Sequence, residues 1–341
     1  LGIGIDFDEQ TKEFDVSAQS VLVGIAGGQD AKATYALYDA RGKTIADALD
    51  KISRKMGLIV SLAHCNVLLV SPIVLKLDHL QLIYPLTGMY ALPEQAILVS
   101  GENSPKDIMA LRLGTTLSAP FFLQQALANE EGSDGMIRTT VKDFAARSLA
   151  RSHACAIPYI VASKMPKPPM TEQGSGEETC EIDLSRALVF NHEKCQIIEG
   201  EYAELLALFA SRDLVGTINY TSQDGGSMEF KTLGKRVRIK ADGMRIFADI
   251  QLSVDLSDVQ HVNADNVLSS ADDIVKDYAN KLAKQFEKQL LELFETSKQC
   301  GIDFLNLQDK AYQSVGRTLP ENCLTDLQFS AKVTIKVQET A

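Results

Sequence analysis

The side chains best equipped for chemistry in this sequence are few and scattered. His64-Cys65 is the one place where an imidazole adjoins a thiol, the pairing from which an activated thiolate nucleophile is built. Neighbouring side chains on a strand point to opposite faces, so the two are expected to stay apart. His79, His153, His192 and His261 show neither H-x-x-x-H nor H-E-x-x-H spacing, and a metal centre would have to gather them from separate segments. Asp6 and Asp8 stand two apart and could hold a cation or serve as acid and base. The simpler reading has Asp8 opening a turn and Asp6 in water. Cys65, Cys155, Cys180, Cys195, Cys300 and Cys323 contain no C-x-x-C pair, which argues against zinc or iron-sulfur ligation. A Cys180–Cys195 or Cys300–Cys323 disulfide is sterically conceivable, and isolated thiols are the plainer reading. Gly24, Gly27 and Gly28 lack the spacing of a dinucleotide fingerprint, and neither G-x-S-x-G nor a P-loop occurs. No catalytic residue, metal or cofactor is expected.

One charged pattern stands out. In the strip Lys235, Arg236, Arg238, Lys240, the last three fall on one parity of an alternating strand and Lys235 does not. Arg236, Arg238 and Lys240 therefore form a candidate contact face for phospholipid head groups or an acidic partner. For the chain as a whole, 34 basic against 45 acidic residues give a net charge of -11. That balance argues against nucleic acid or an anionic membrane surface as the main partner. Hydrophobic content of 45% with 23% charged residues is that of an ordinary globular protein, and 341 residues suggest two or three domains. The longest apolar runs, such as Val67 to Val70, fall far short of a spanning helix. The first residue is Leu1 and not Met, which leaves room for an exported or lipid-attached N-terminus ahead of it.

The elements that must carry these residues are legible at the C-terminal end. From Ser270, the apolar positions Ile274, Tyr278, Leu282, Phe286, Leu290 and Phe294 recur every four residues. Asp272 and Asp273 suit the start of that helix, and Lys298 and Gly301 its stop. About 30 residues at ~1.5 Å each make a rod roughly 45 Å long, which a small domain can cover only with a sheet. Strict alternation in Leu327 to Val337, and in Arg236 to Lys240 and Ile246 to Leu256 about a turn at Asp242-Gly243, supplies three strands of an expected antiparallel sheet.

Further toward the N-terminus, strands are expected at Gly2 to Asp8 and Glu13 to Gly24, then a helix from Thr44 to Met56 ended by Gly57. A strand at Asn66 to Val70, a helix after Ser71-Pro72, a strand at Gln95 to Ser100 and a short helix capped by Ser104 follow, an order that makes a locally parallel pair plausible. Residues 113–163 read as mostly helical, with a capping box at Thr140 to Asp143 and a strand at Ile157 to Val161. Lys164 to Thr179 is rich in Pro, Gly and acids and reads as a linker. The expected division is therefore an α/β domain over 1–112, the mostly helical region 113–163, a linker over 164–180 and an α+β domain over 181–341. The fold class is multi-domain α+β, with mixed or antiparallel sheets each packed with helices and one long C-terminal helix lying on its sheet.

Several stretches recur in a telling order. They are Gly2-Ile3-Gly4-Ile5-Asp6 with the Phe14 to Val23 strand, then Gly42-Lys43-Thr44-Ile45-Ala46-Asp47-Ala48-Leu49 leading to His64-Cys65-Asn66-Val67, and Ile97-Leu98-Val99-Ser100-Gly101 before Pro105-Lys106-Asp107-Ile108. Ala187-Leu188-Val189-Phe190, Gly200 to Leu208, the long helix, Gly301-Ile302-Asp303 and Val333 to Val337 complete the series. This order resembles the spore germination Ger(x)C family, the lipoprotein C subunits of nutrient germinant receptors. The resemblance implies a non-enzymatic, exported subunit attached by an N-terminal lipid to the outer face of the spore's inner membrane. It implies work beside membrane-embedded A and B subunits, and three α+β domains with a division near Leu111 to Leu117. None of the six cysteines is a candidate for the lipid. A soluble extracytoplasmic module that binds a small molecule is the alternative, and it would need a concave, mostly apolar pocket.

Overall fold

The computed structural model describes residues 1–22, 34–77, 79–113, 118–128, 135–164, 180–210, 216–221, 226–260, 271–315, 319–320 and 323–338. They fall into two units, one of Leu1–Ala128, Arg138–Leu149 and Cys155–Ile198, the other of Asn129–Ile137, Ala150–Ala154 and Glu199–Ala341.

In the first unit, β1 (Gly2–Asp8) and β2 (Glu13–Leu22) make a hairpin with Ile5 opposite Val16. Next come β3 (Thr34–Gly42), α1 (Ile45–Met56), β4 (Val67–Val70), α2 (His79–Tyr84), β5 (Ile97–Gly101), α3 (Pro105–Ala110), α4 (Ala119–Ala128), α5 (Val141–Ser148), β6 (Cys155–Lys164), β7 (Cys180–Phe190) and β8 (Cys195–Ile198). All eight strands form one sheet in the order β3-β2-β1-β4-β5-β6-β7-β8. The inner pairs β1/β4, β4/β5 and β5/β6 are parallel, and both flanks are antiparallel. Val67 to Val70 and Ile97 to Val99 are apolar on both parities because the sheet is covered on both faces there. One face packs Ile3, Ile5, Leu68, Val70 and Leu98 against Leu49 and Ile52 of α1 and Phe144 of α5. On the other face α3 lies close over β1. A Cβ on Gly4 would stand 2.6 Å from Ser17 Oγ and 2.9 Å from Pro105 Cβ, so only glycine lets the helix approach so near.

Local caps follow the sequence closely. Thr44 Oγ1 accepts from Asp47 N at 3.0 Å at the start of α1, and Ser104 Oγ accepts from Asp107 N at 3.1 Å at the start of α3. At α5 the capping box is complete, with Asp143 Oδ2 accepting from Thr140 N at 3.1 Å and Thr140 Oγ1 from Asp143 N at 3.2 Å. Two expectations need correcting. Ser71-Pro72 opens not a helix but a turn leading to a 3-10 turn at Val74–Lys76, and α2 begins only at His79. β3 and β8 were not foreseen, since neither carries a full run of alternating apolar residues. The first unit continues past the Pro-rich stretch. Lys164 pairs with Cys180 across the β6/β7 ladder, so β7 and β8 extend the first sheet. Residues 165–179 themselves lie outside the described residues.

The second unit contains α6 (Glu201–Ala210), β9 (Gly216–Thr221), β10 (Ser227–Asp242), β11 (Arg245–Gln260), α7 (Ala271–Cys300), α8 (Leu307–Val315) and β12 (Gln328–Val337). Its sheet runs β12-β11-β10-β9. β10 is antiparallel to β9 and β11, but β12 is parallel to β11, so the sheet is mixed and not wholly antiparallel. The reason lies in the connection: a strand reached by way of a long helix can start beside its predecessor's own start, whereas a hairpin forces reversal. α7 is the expected 30-residue helix, and it buries Tyr278, Ala279, Leu282, Ala283, Leu290, Leu293 and Phe294, with Phe286 only half-buried. Ser270, expected to begin it, lies outside the described residues. Glu287 of α7 reaches the exposed edge of β12, where its Oε1 accepts from Val333 N at 2.8 Å. That contact occupies an edge amide that another strand could otherwise claim.

Candidate contact face

The residues with reactive chemistry are placed for structure. Cys65 is 3% exposed, its Sγ donates to Val67 O at 3.3 Å, and burial pushes its thiol up to about 11. His64 beside it is exposed, so the pair is split between solvent and core in the turn before β4. Burial likewise pushes Cys155 up to about 12. Asp8 Oδ1 accepts from Gln10 N at 2.8 Å and Thr11 N at 3.2 Å, and these backbone donors hold its carboxyl below the usual range. Asp6 Oδ1 accepts from Phe7 N at 2.8 Å. Of the isolated histidines, His153 and His192 are described, while the side chain of His79 and all of His261 lie outside the described residues. Among the described residues, no three His, Cys, Asp or Glu side chains gather in a metal-binding arrangement. The described residues include all six cysteines, and no disulfide joins them. Cys195 faces Phe190 across β7/β8, at the far end of β7 from Cys180 and roughly 30 Å along the strand.

The basic strip behaves differently. β10 turns into β11 through Gly243-Met244, with Asp242 paired to Arg245 and Gly243 at a φ of +59°. A two-residue hairpin loop needs a positive φ at its first position, which glycine supplies without strain. This turn fixes the register and with it the parity. Ile246, Ala248, Ile250, Leu252 and Val254 of β11 are buried, so their neighbours Arg245, Phe247, Asp249, Gln251 and Ser253 point to the outer face. Directly opposite on β10 stand Lys240 with Phe247, Arg238 with Asp249 and Arg236 with Gln251. All three β10 cations are exposed. Lys235 faces inward, as its parity required, and its Nζ donates to Leu208 O of α6.

β12 extends the face. Ser330 lies beside Phe247, Lys332 beside Asp249, Thr334 beside Gln251 and Lys336 beside Ser253. The hairpin half of the outer face thus carries Arg236, Arg238, Lys240, Arg245, Lys332 and Lys336 over three neighbouring strands, against the carboxylates of Asp242 and Asp249. Asp249 Oδ2 accepts from Gln251 Nε2 at 3.3 Å, and among the described residues none of the six cations lies within 4 Å of a carboxylate. Farther along, the same face turns acidic, with Glu229, Asp255 and Asp258 around Lys231. Sequence reasoning found the β10 cations and the wet parity of β12. It missed that these rows adjoin, because period two gives a side chain's face and says nothing of which strand lies next to it.

Two family profiles match the chain in order. Residues 1–162 match the spore germination protein N-terminal domain, and residues 185–341 match the spore germination B3/GerAC-like C-terminal domain. The chain belongs to the GerAC-like spore germination proteins. The basic face therefore lies wholly within the C-terminal match of a GerAC-like chain. A solved structure described as the crystal structure of the GerBC protein aligns over 99% of this chain and 98% of its own, with a TM-score of 0.55 and 11% identity. At that identity the likeness speaks for the fold alone. No curated protein sequence matches. Among the described residues, no helix is long and apolar enough to cross a membrane.

Proposed function

We propose that this GerAC-like chain is the C subunit of a nutrient germinant receptor: a non-enzymatic, extracytoplasmic scaffold tethered by an N-terminal lipid to the outer face of the spore's inner membrane. There it would assemble with, or stabilise, the membrane-embedded A and B subunits. The observation that carries this reading is the pair of spore germination matches running in order through both units. Supporting it, the His64-Cys65 pair is divided between solvent and core and its thiol is pushed away from the reactive thiolate. Tethering reduces the affinity each contact must supply, because a linked protein meets its neighbours at high effective concentration. In this reading Arg236, Arg238 and Lys240 form a contact face toward a partner or head groups.

The test is recovery of the complex from spores carrying an affinity-tagged chain, solubilised in detergent. The wild-type chain should bring down polytopic membrane proteins. The triple variant Arg236→Glu, Arg238→Glu, Lys240→Glu should fold normally and recover fewer of them, and normal recovery would count against this face.

A further inference from the structure

We infer that the hairpin half of the second unit's outer sheet face is a docking surface for an anionic lipid bilayer, built from six cations on three strands with Phe247 among them. This deepens the contact-face reading above and rests on it, while committing that face to one occupant.

Charge complementarity is the first ground. The chain's net charge of -11 would repel an anionic surface, yet six cations gather here against two carboxylates, Asp242 and Asp249, while Glu229, Asp255 and Asp258 lie farther along the strands from the hairpin. Ordinary salt screens beyond about 8 Å, so at contact the local field decides and the distant acidic residues count for little. The arrangement of the cations is the second ground. Arg236, Arg238 and Lys240 stand on alternate residues roughly 7 Å apart along β10, Lys332 and Lys336 stand four residues or roughly 13 Å apart along β12, and neighbouring strands lie about 5 Å apart. All six side chains are exposed, and none is held in a buried fork that would single out one ligand. A spread of exposed cations suits an array of head groups that can rearrange laterally, whereas a fixed acidic protein surface would be matched by paired geometry.

Apolar exposure is the third ground. Phe247 is 39% exposed between Lys240 and Ser330, an unusual place for a ring on the wet side of a sheet. At the hairpin tip, Val315 of α8 lies 3.8 Å from where a Gly243 Cβ would be and is itself 41% exposed. Aromatic and aliphatic groups beside lysine and arginine are the composition of surfaces that settle at the head-group level, the cations spreading their stems over the apolar atoms.

The experiment is co-sedimentation of the purified 341-residue chain, without lipid, with vesicles of phosphatidylglycerol and phosphatidylcholine or of phosphatidylcholine alone. Binding should require phosphatidylglycerol and vanish at high salt. Each cation near the surface is worth roughly a fivefold change in affinity. Lys332→Gln with Lys336→Gln should therefore weaken binding by about 25-fold, and Arg236→Gln with Arg238→Gln by a similar factor. Phe247→Ser should weaken it with little change in salt dependence. Lys288→Gln, on the exposed side of α7, is the control and should bind as wild type, and circular dichroism of every variant checks the fold. Equal binding to both vesicle types, or undiminished binding by the β12 pair, would overturn the inference. If vesicles fail to bind but the charge-reversed chain still loses its protein partners in spores, the bilayer assignment falls and the contact face survives. Loss of neither removes both.

Discussion

Asp303 offers the sharpest test of how the second unit is held together. Its carboxylate is 2% exposed, with Oδ1 accepting from Leu307 N at 2.9 Å and Oδ2 from Gln308 N at 2.8 Å, so it ties off the two leading amides of α8. Gln308 is buried in turn, and its Oε1 accepts from Cys323 N at 3.2 Å, linking the start of α8 to the approach into β12. A bond to a charged acceptor contributes about 1.5–3 kcal/mol, and Asp303→Ala removes two while leaving buried donors unpaired. Desolvation of the carboxylate offsets part of that, so a loss of about 3–5 kcal/mol is expected. Asp303→Asn keeps one acceptor and should lose about 1–3 kcal/mol. The chain has no tryptophan and two compact units, so a single fluorescence-monitored transition is a poor readout. Hydrogen exchange over residues 303–315 reports the opening directly. At tenfold per 1.4 kcal/mol, exchange in Asp303→Ala should speed up by about 100-fold or more, with Asp303→Asn between it and wild type. Protection in the alanine variant within about threefold of wild type would refute the capping argument.

Along α7 the periodic stripe makes Phe286 and Leu290 look alike, but Leu290 is fully buried and Phe286 is not. Leu290→Ala should cost about 3–5 kcal/mol and Phe286→Ala about 2 or less, measured by denaturation. Alkylation of the native chain at pH 8 should label at most the half-buried Cys180, Cys195 and Cys300, with Cys65, Cys155 and Cys323 reacting only after denaturation. Mass spectrometry that finds native labelling of Cys155 would contradict its burial. Lys51 Nζ at 2.9 Å and the Lys43 amide at 3.1 Å hold the Asp47 carboxyl below its usual range. A lowered folded value means that the contribution is complete above the ordinary value near pH 4 and is lost as pH falls through the folded one. Asp47→Asn should flatten the acid limb of the stability profile, and an unchanged limb would exclude this pairing as a source.

Local signals survived well from sequence to structure where one short segment holds the whole cause. Ser104 and Thr140 cap the helices that they precede, because a cap needs only three following residues. The 30-residue α7 and the parity of Arg236, Arg238 and Lys240 were likewise legible, being periodicities within one element. What was missed depended on pairing. The parallel setting of β12 on β11, the place of β7 and β8 in the first sheet and the adjacency of Lys332 and Lys336 to the β10 cations are all settled by strand neighbours. No single strand's pattern encodes its neighbour. β3 was missed for a related reason, since Thr34–Gly42 mixes small, charged and aromatic residues and depends on its ladder with β2.

The receptor-subunit proposal is tested most directly by fractionating spores that carry the native, full-length protein. Retention with the inner membrane, release only by detergent, and recovery together with polytopic partners is the expected result. A freely soluble protein that brings down no membrane partner would contradict it.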